Sequence, residues 1–452
     1  MPLLVAKAKP FASAAYSVAV VALAGLGAGS AAAEVDRVQT AAPLAVTAQL
    51  TAQVSTQVNA QTPEHATQVA AQAAADAALA QAQALATANP GAVWLNSLTT
   101  VLQASAGRAR RELSFRGDIA ADFPLGELDQ GAQKISAHLR FGKGAGLGAS
   151  EAFASALNAS SFELDGDRTR GILAELVYQR EWRINEFAAQ VRGFDKDKLT
   201  LQVGKMDFFA YFDQNEVASD ESRQFLNSVF VHNPMLDAGG DVAADRFGFA
   251  PGLRLGWSHD DADAASWGLS LGIFSAGAAT DLEGPIHRLL SGPLLVAQAE
   301  VAPLTVNGQG RGNYRVYAWR NGGTQRPDGT QQQHAGLGLS IDQQVRPGWV
   351  VFWRWGRRTS GEGAFASALT VGAQWAGGAW GRQEDALGLA VGTLRAQGDS
   401  PLGSERVAEL YYRFKAAQRL DLSPDWQLIH RPGGRADAPV QRVLSLRANL
   451  VF

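Results

Sequence analysis

The 452-residue sequence contains no cysteine, which removes disulfide scaffolds, thiolate metal sites and cysteine nucleophiles together. Histidine is scarce, seven scattered residues without a cluster, so a metal site has little material. Neither sign of charge dominates: 40 Lys+Arg stand against 43 Asp+Glu, and a net charge of -3 supplies no broad positive field for nucleic acid. No glycine-rich phosphate loop of the Walker type occurs, so no energy-coupling motif is visible and no cofactor is expected. Beyond residue 33 no run of about 18 apolar residues appears, and no helical membrane span is expected there.

What is present is glycine, 48 residues, with 11 Trp, 7 Tyr and 20 Phe and only 18% charged residues. That mixture suits many strands and turns. The first 33 residues have a different character. Lys7 and Lys9 precede the apolar Val18–Ala24 stretch, and Ala31-Ala32-Ala33 follows before Glu34. This predicts a signal peptide over 1–33 with cleavage near Ala33, the alternative being an uncleaved anchor. Residues 34–90 are rich in Ala, Gln, Thr and Val, with Pro63 and Pro90 bracketing a stretch of high helix propensity. Large apolar side chains there are chiefly Val69, Leu79 and Leu85. Such a segment buries little area alone, so it reads as a flexible periplasmic tether or as a helix that meets itself, the rest of the chain or a periplasmic partner.

Residues 91–452 are expected to form the barrel, and from about residue 111 onward period-two alternation recurs in short blocks separated by Gly, Asp, Pro and Asn. Leu444, Leu446, Ala448, Leu450 and Phe452 share one face, with Ser445, Arg447 and Asn449 on the other. Ala408, Leu410, Tyr412 and Phe414 likewise oppose Glu409, Tyr411, Arg413 and Lys415. Leu113, Phe115, Gly117 and Ile119 oppose Ser114, Arg116 and Asp118; Ile135, Ala137, Leu139 and Phe141 oppose Ser136, His138 and Arg140. A less clean block sets Ile172, Ala174, Leu176 and Tyr178 against Leu173, Glu175, Val177 and Gln179. Further blocks centre on 199–205, 253–259, 267–274, 294–301, 313–320, 335–342, 349–357, 368–375, 386–395 and 421–429.

The face opposite the apolar row holds ionised Arg, Glu, Asp and Lys beside Ser, Asn and Gln. A soluble sandwich could also alternate, but so many charges beside frequent Gly and Ala favour a barrel with a water-filled lumen, which keeps them hydrated, whereas a small closed barrel would have to pack them dry. In hydrocarbon an unpaired backbone N–H or C=O costs several kcal/mol, so edge strands must pair and the sheet must close. The expected fold is therefore all-β, a transmembrane antiparallel β-barrel of 16 strands, the even number nearest the fifteen or sixteen blocks. Tyr178, Trp182, Trp349, Trp355, Trp375, Trp380, Tyr411 and Tyr412 lie near block ends, as an interfacial girdle requires. The apolar-faced block ending on Phe452 is similar to the terminal strand by which outer-membrane barrels are recognised by the barrel assembly machinery.

Leu201-Gln202-Val203-Gly204-Lys205-Met206-Asp207-Phe208-Phe209 runs into Phe212-Asp213-Gln214-Asn215-Glu216-Val217-Ala218 and then Gln224-Phe225-Leu226-Asn227. About 200 residues later come Glu409-Leu410-Tyr411-Tyr412-Arg413-Phe414, Leu422-Ser423-Pro424-Asp425-Trp426-Gln427-Leu428-Ile429 and Pro432-Gly433-Gly434. Over roughly residues 110–452 the sequence resembles the carbohydrate-selective porin family called OprB. The resemblance implies a sixteen-stranded barrel in the outer membrane of a Gram-negative bacterium that admits glucose and similar small carbohydrates down their gradients. Residues 34–90 depart from the compact core of that family, and His430-Arg431 before Pro432 is more basic than its members often are.

A passive channel selects at a constriction where loop or wall residues narrow the lumen. Lys205, Asp207, Asp213, Asn215, Glu216, Asp220, Glu221 and Arg223 are the densest candidate set, at or just after a strand end. Opposed charges there set a transverse field without giving the pore a strong net sign. The same Asp213-Gln214-Asn215 stretch equally suits a turn, or a pin that holds an inward-folded loop to the wall. Glu409, Tyr411, Arg413 and Arg447 are wall candidates, the guanidinium groups for vicinal hydroxyls or for Glu409, and the Tyr411 ring for stacking on a sugar. Outer-membrane lipid and lipopolysaccharide would surround the barrel, with a homo-oligomer as a further expectation. The alternatives are a general porin and a barrel component of a polysaccharide export assembly. An outer-membrane hydrolase would need Ser or an acid near His138 or His232, and neither belongs to a recognisable catalytic constellation.

Overall fold

The computed structural model describes residues 91–452 apart from 106–109, 129–130, 148–151, 154–155, 162–169, 185–196, 237–247, 261–264, 277–288, 290–291, 304–311, 326–330, 362, 364 and 399–401. The expected signal peptide (1–33) and Ala/Gln-rich segment (34–90) lie outside the described residues.

Sixteen strands are present among the described residues: β1 (Val93–Ser105), β2 (Arg111–Leu128), β3 (Gly131–Lys143), β4 (Arg170–Arg183), β5 (Asp197–Asp207), β6 (Phe249–His259), β7 (Ser266–Phe274) and β8 (Leu294–Ala302). They continue with β9 (Gly312–Gln325), β10 (Gln331–Arg346), β11 (Trp349–Ser360), β12 (Phe365–Ala376), β13 (Ala386–Ala396), β14 (Ser404–Ala417), β15 (Leu420–His430) and β16 (Gln441–Val451). Each strand neighbours the next in the chain, and β1 meets β16, so the sheet closes with no free edge. Closure satisfies the backbone groups that hydrocarbon would leave unpaired. The expected sixteen-stranded barrel is thus the observed one.

Burial is inverted relative to a soluble protein. In β10 Leu337 is 45% exposed while Ser340 and Asp342 are fully buried; in β16 Leu444 is 47% exposed and Arg447 is 1% exposed. The apolar rows face outward, where lipid replaces water, and the polar rows face the lumen. Arg354 and Glu409 are fully buried too, which departs from the expectation of hydrated wall charges. Their partners are a chain segment inside the barrel.

Three local departures from simple alternation have physical causes. In β4 the pairing slips: His138 faces Glu175 but Leu139 faces Leu173, leaving Ala174 as an extra residue. Such a bulge shifts the side-chain phase by one. Leu173 and Leu176 therefore both point outward, at 44% and 48% exposure, and the expected pairing of Ala174 with Leu176 on one face is corrected. β1 gave no clear block because Val93 and Leu95 share a face with Thr99 and Gln103, so neither face is purely apolar. In β5, Gly204 (φ 146°) lies so close to β4 that a Cβ would sit 2.0 Å from the Leu176 carbonyl oxygen, so only glycine lets the two strands pair there.

The two ends of the barrel differ. Connections after odd-numbered strands include the long stretches 144–169, 208–248 and 275–293; those after even-numbered strands include the two-residue connections between Leu128 and Gly131 and between Arg346 and Trp349. Long connections mark the extracellular end of such barrels and short turns the periplasmic end. Girdle aromatics collect near the short-turn end: Trp349 meets Trp375 edge-on at 5.6 Å, and the Trp380 indole donates to the Tyr412 hydroxyl at 3.1 Å. Tyr411 is not among them, because its side chain is fully buried on the luminal face.

Candidate functional site: a loop folded into the lumen

The chain leaving β5 does not cross directly to β6. Asp207 accepts a hydrogen bond from the Phe209 N–H at 2.8 Å and so caps a 3-10 turn, Phe208–Ala210, that redirects the chain. The segment continues to α1 (Ser228–Val231), a single turn capped by Asn227 through the Val229 N–H at 3.1 Å. Its apolar side chains drive it against the wall. Phe208 packs on Phe212 and Phe274, and Phe225 on Phe230, Phe352 and Tyr411, with centroid distances of 5.0–5.6 Å. This aromatic cluster is a core built inside the barrel. Tyr411 lies flat across Gly388 on β13, where a Cβ would meet its ring at 2.1 Å, and its hydroxyl donates to Gln374 at 2.6 Å.

One guanidinium organises the loop. Arg354, fully buried on β11, donates to Asp213 Oδ1 at 3.2 Å and to the carbonyls of Asp213, Ala218 and Phe230 at 2.9, 2.6 and 2.6 Å. A further bond reaches the Ser219 hydroxyl at 3.0 Å. Burying an always-charged guanidinium costs several kcal/mol unless a counter-charge and full hydrogen bonding compensate, and here both do. Asp213 also accepts from the Tyr317 hydroxyl at 2.7 Å and the Asn233 N–H at 2.6 Å. Its backbone is left-handed (φ 56°), a cost of about 1–2 kcal/mol that this network holds in place.

Other pins follow around the wall. Asn215 donates to the Ile341 carbonyl at 3.1 Å, the Gln214 carbonyl accepts from Arg315 at 2.9 Å, and the Glu216 N–H donates to Asp342 at 3.3 Å. Glu409 accepts from the N–H groups of Leu226 and Asn227, the latter at 2.9 Å. Arg447 donates to the Glu221 carbonyl at 2.8 Å, Arg223 pairs with Asp421 at 3.1 Å, and Arg116 binds the Glu221 carboxylate at 2.5 Å. The connection after β3 joins in: Ala159 N–H donates to Leu226, and the Ser228 N–H to Ala156, at 2.7 and 3.1 Å.

These placements sort the sequence candidates. Asp213, Asn215, Glu409, Tyr411 and Arg447 are buried; the polar atoms of Asp213, Asn215, Glu409 and Arg447 hold the loop, whereas the Tyr411 hydroxyl donates to Gln374 on the wall and its ring packs on Phe225. Glu216 is exposed, and Asp220, Glu221 and Arg223 are part-exposed on the loop; Arg413 shares the inward face of β14. Lys205 is a correction: in register with Leu176 and on the face of Val203, it belongs to the outward row, and strand periodicity forbids it the lumen. The residues missed are Arg354, Arg315, Tyr317 and Asn233, together with a charged ladder on β2–β4. There Asp118 accepts from Arg116 and Arg140 at 2.8 and 2.7 Å, and His138 bridges Asp118 and Glu175 at 2.9 and 3.1 Å.

Titration of the loop groups follows their surroundings. Burial pulls His232 down to about 3 against the attraction of Glu221, and the neutral ring stacks on Phe209 at 3.7 Å. Burial alone would raise Glu221, but the guanidinium groups of Arg116 and Arg140 outweigh it and hold the carboxyl below its ordinary range. Partial desolvation beside the wall, and then the nearby Asp342 carboxylate, raise Glu216 although its side chain reaches solvent.

A search of curated proteins finds no match. Among solved structures, the high-pH form of Pseudomonas putida OprB aligns with a TM-score of 0.63 at 16% identity, covering 83% of this chain and 97% of that one. The low-pH form aligns at 0.49 and 15% identity, covering 83% and 96%. The outer-membrane channel DcaP of Acinetobacter baumannii aligns at 0.46 and 9% identity, covering 80% and 97%. The first likeness shows the fold. Residues 116–452 match the family described as carbohydrate-selective porin, OprB family, and the chain belongs to it.

Proposed function

We propose that the protein is a passive outer-membrane channel for small carbohydrates, with the loop between β5 and β6 as its constriction. Family membership supports the carbohydrate and the outer membrane, and family and fold together indicate a channel rather than an enzyme. The single observation that carries the constriction is the loop's attachment across the lumen, from Arg116 on β2 to Arg354 on β11 and Glu409 on β14. The loop docks mainly on β9–β16, with further contacts to Arg116 on β2, Phe274 on β7 and Gln298 on β8, and solute passes where luminal side chains keep water. Glu175 (side chain 23% exposed), Glu300 (37%) and the Lys134–Asp122 pair (34% each) keep their contact with water there.

A sugar has hydroxyl edges and weakly apolar faces. Arg140, Glu175 and Arg254 supply donors and acceptors for the edges, and half-buried Tyr211, with Arg254 5.4 Å from its ring centre, supplies a face. Glu216, Asp220, Glu221 and Arg223 contribute opposed charges from the loop side, with Arg413 further along the wall. No conformational cycle is needed, since the gradient drives flux.

Single-channel conductance in a planar bilayer tests this, with neutral sugars added as blockers. Glucose or its oligomers should reduce the current at millimolar concentration. A current indifferent to every sugar would replace this reading with a general porin, and no current would end it.

A further inference from the structure

Outside the lumen, the outward faces of β11–β14 carry an ordered grid. Register aligns Arg357, Ser367 and Arg395 in one row across the strands. The next row is Trp355, Leu369, Thr393 and Arg406, and the one below it is Trp353, Val371, Val391 and Ala408. Arg357, Arg395 and Arg406 are exposed, and none has an ion-pair partner among the described residues. They stand within a few residues of the ends of β11 and β13 and the start of β14, at the barrel end that bears the long connections. Directly below them the wall is hollowed. A concavity of about 300 Å³ is lined by Leu369, Val371, Val391, Ala408 and Leu428, with Arg406 at its head.

Three exposed guanidinium groups without an ion pair among the described residues, on a lipid-facing sheet, are costly in hydrocarbon and belong at a headgroup boundary carrying negative charge. Guanidinium matches phosphate geometry through paired N–H donors, and the apolar hollow beneath suits a methylene chain. The end of the barrel fixes the leaflet as the outer one. We infer that β11–β15 form a binding site for a phosphorylated, acylated glycolipid of the outer leaflet, a lipopolysaccharide. Its phosphate lies among Arg357, Arg395 and Arg406, and one acyl chain fills the hollow over Ala408. The site is independent of which solute crosses the lumen.

The test uses the full-length protein, delipidated in detergent, with native mass spectrometry to count and rank bound lipid. The probes are bis-phosphorylated lipid A, its dephosphorylated form and phosphatidylglycerol. Wild type should bind lipid A in preference to the other two. Arg395→Gln with Arg406→Gln should weaken lipid A at about fivefold per charge, roughly 25-fold together, and leave the dephosphorylated form unchanged. Ala408→Phe, which fills the hollow, should weaken both forms. Unchanged lipid A affinity in the double variant, or equal binding of phosphatidylglycerol, would overturn the assignment. So would an Ala408→Phe effect confined to dissociation of a protein oligomer, which would make the hollow a contact between copies. Sugar block of the conductance, measured on the same variants, reports folding and stays at the wild-type level.

Discussion

The luminal wall treats charge in two ways, dry where the loop docks and wet away from it. Beside the loop, Arg354–Asp213 has both side chains fully buried with every guanidinium donor spent on the loop, and Arg116–Asp118 on β2, next to Glu221, is nearly as dry. Away from the loop, the Lys134–Asp122 pair is one-third exposed on both sides. The same residue types thus do two jobs. Dry pairs fix geometry, because breaking one strands a charge without water; wet pairs set a local potential that solvent and salt soften. A channel needs both, a rigid constriction and a hydrated surface beside it.

The contrast is broken most strongly at Arg354. Arg354→Met leaves Asp213 buried without its counter-charge and frees three loop carbonyls, a loss of about 3–5 kcal/mol in loop docking. The loop should leave the wall, raising single-channel conductance and abolishing sugar block. Adding Asp213→Asn should recover part of both. Wild-type conductance and block in Arg354→Met would mean that the loop is held elsewhere. Phe225→Ala removes the ring shared by Phe230, Phe352 and Tyr411. Its cost should fall near the low end of about 3–5 kcal/mol, since the loop can partly collapse into the gap. Limited trypsin digestion at Arg223 would report it, with faster cleavage than in wild type.

Proton uptake should loosen the same seal more gently. An undocked His232 titrates near its ordinary 6.5, while the docked ring stays neutral down to about 3. Below pH 6.5 the undocked loop therefore binds more protons, so docking is strongest above that value and weakens as pH falls, by roughly 1 kcal/mol per unit. Glu221, held low by Arg116, adds a loss of the same sign at still lower pH. Conductance should rise between pH 6 and pH 4. His232→Phe keeps the stack on Phe209 and should flatten that rise; an identical pH profile in the variant would remove His232 from the account.

How much of this was legible in the sequence depends on what boundary each residue answers to. Outward residues answer to lipid, a uniform solvent, so alternation alone located every strand except β1, whose mixed faces hid it. The phase within β5 even held the warning about Lys205, which shares its parity with Leu199, Leu201 and Val203. Inward residues answer to particular partners far away in the chain. Asp213 meets Arg354, Glu409 meets Leu226 and Asn227, and Arg223 meets Asp421. The density of polar residues over 205–223 marked the place, but no local spacing could say which of them would be dry. Arg354 carried one signal: a charge between outward Trp353 and Trp355 must point into the lumen, although nothing nearby names what it binds there.

The weakest effect belongs to the wet wall and sharpens the comparison best. Lys134→Gln removes a pair that water already screens, so stability should change by less than about 1 kcal/mol. Its consequence is electrical. Asp122, left without its partner, should raise the preference for cations, read as a shifted reversal potential across a salt gradient. With a Debye length of about 10 Å at 0.1 M salt and about 3 Å at 1 M, that shift should be clear in dilute buffer and vanish in concentrated salt. A shift that survived 1 M salt would place Asp122 in a dry environment, and the division of the lumen into a sealed wall and a hydrated one would no longer hold.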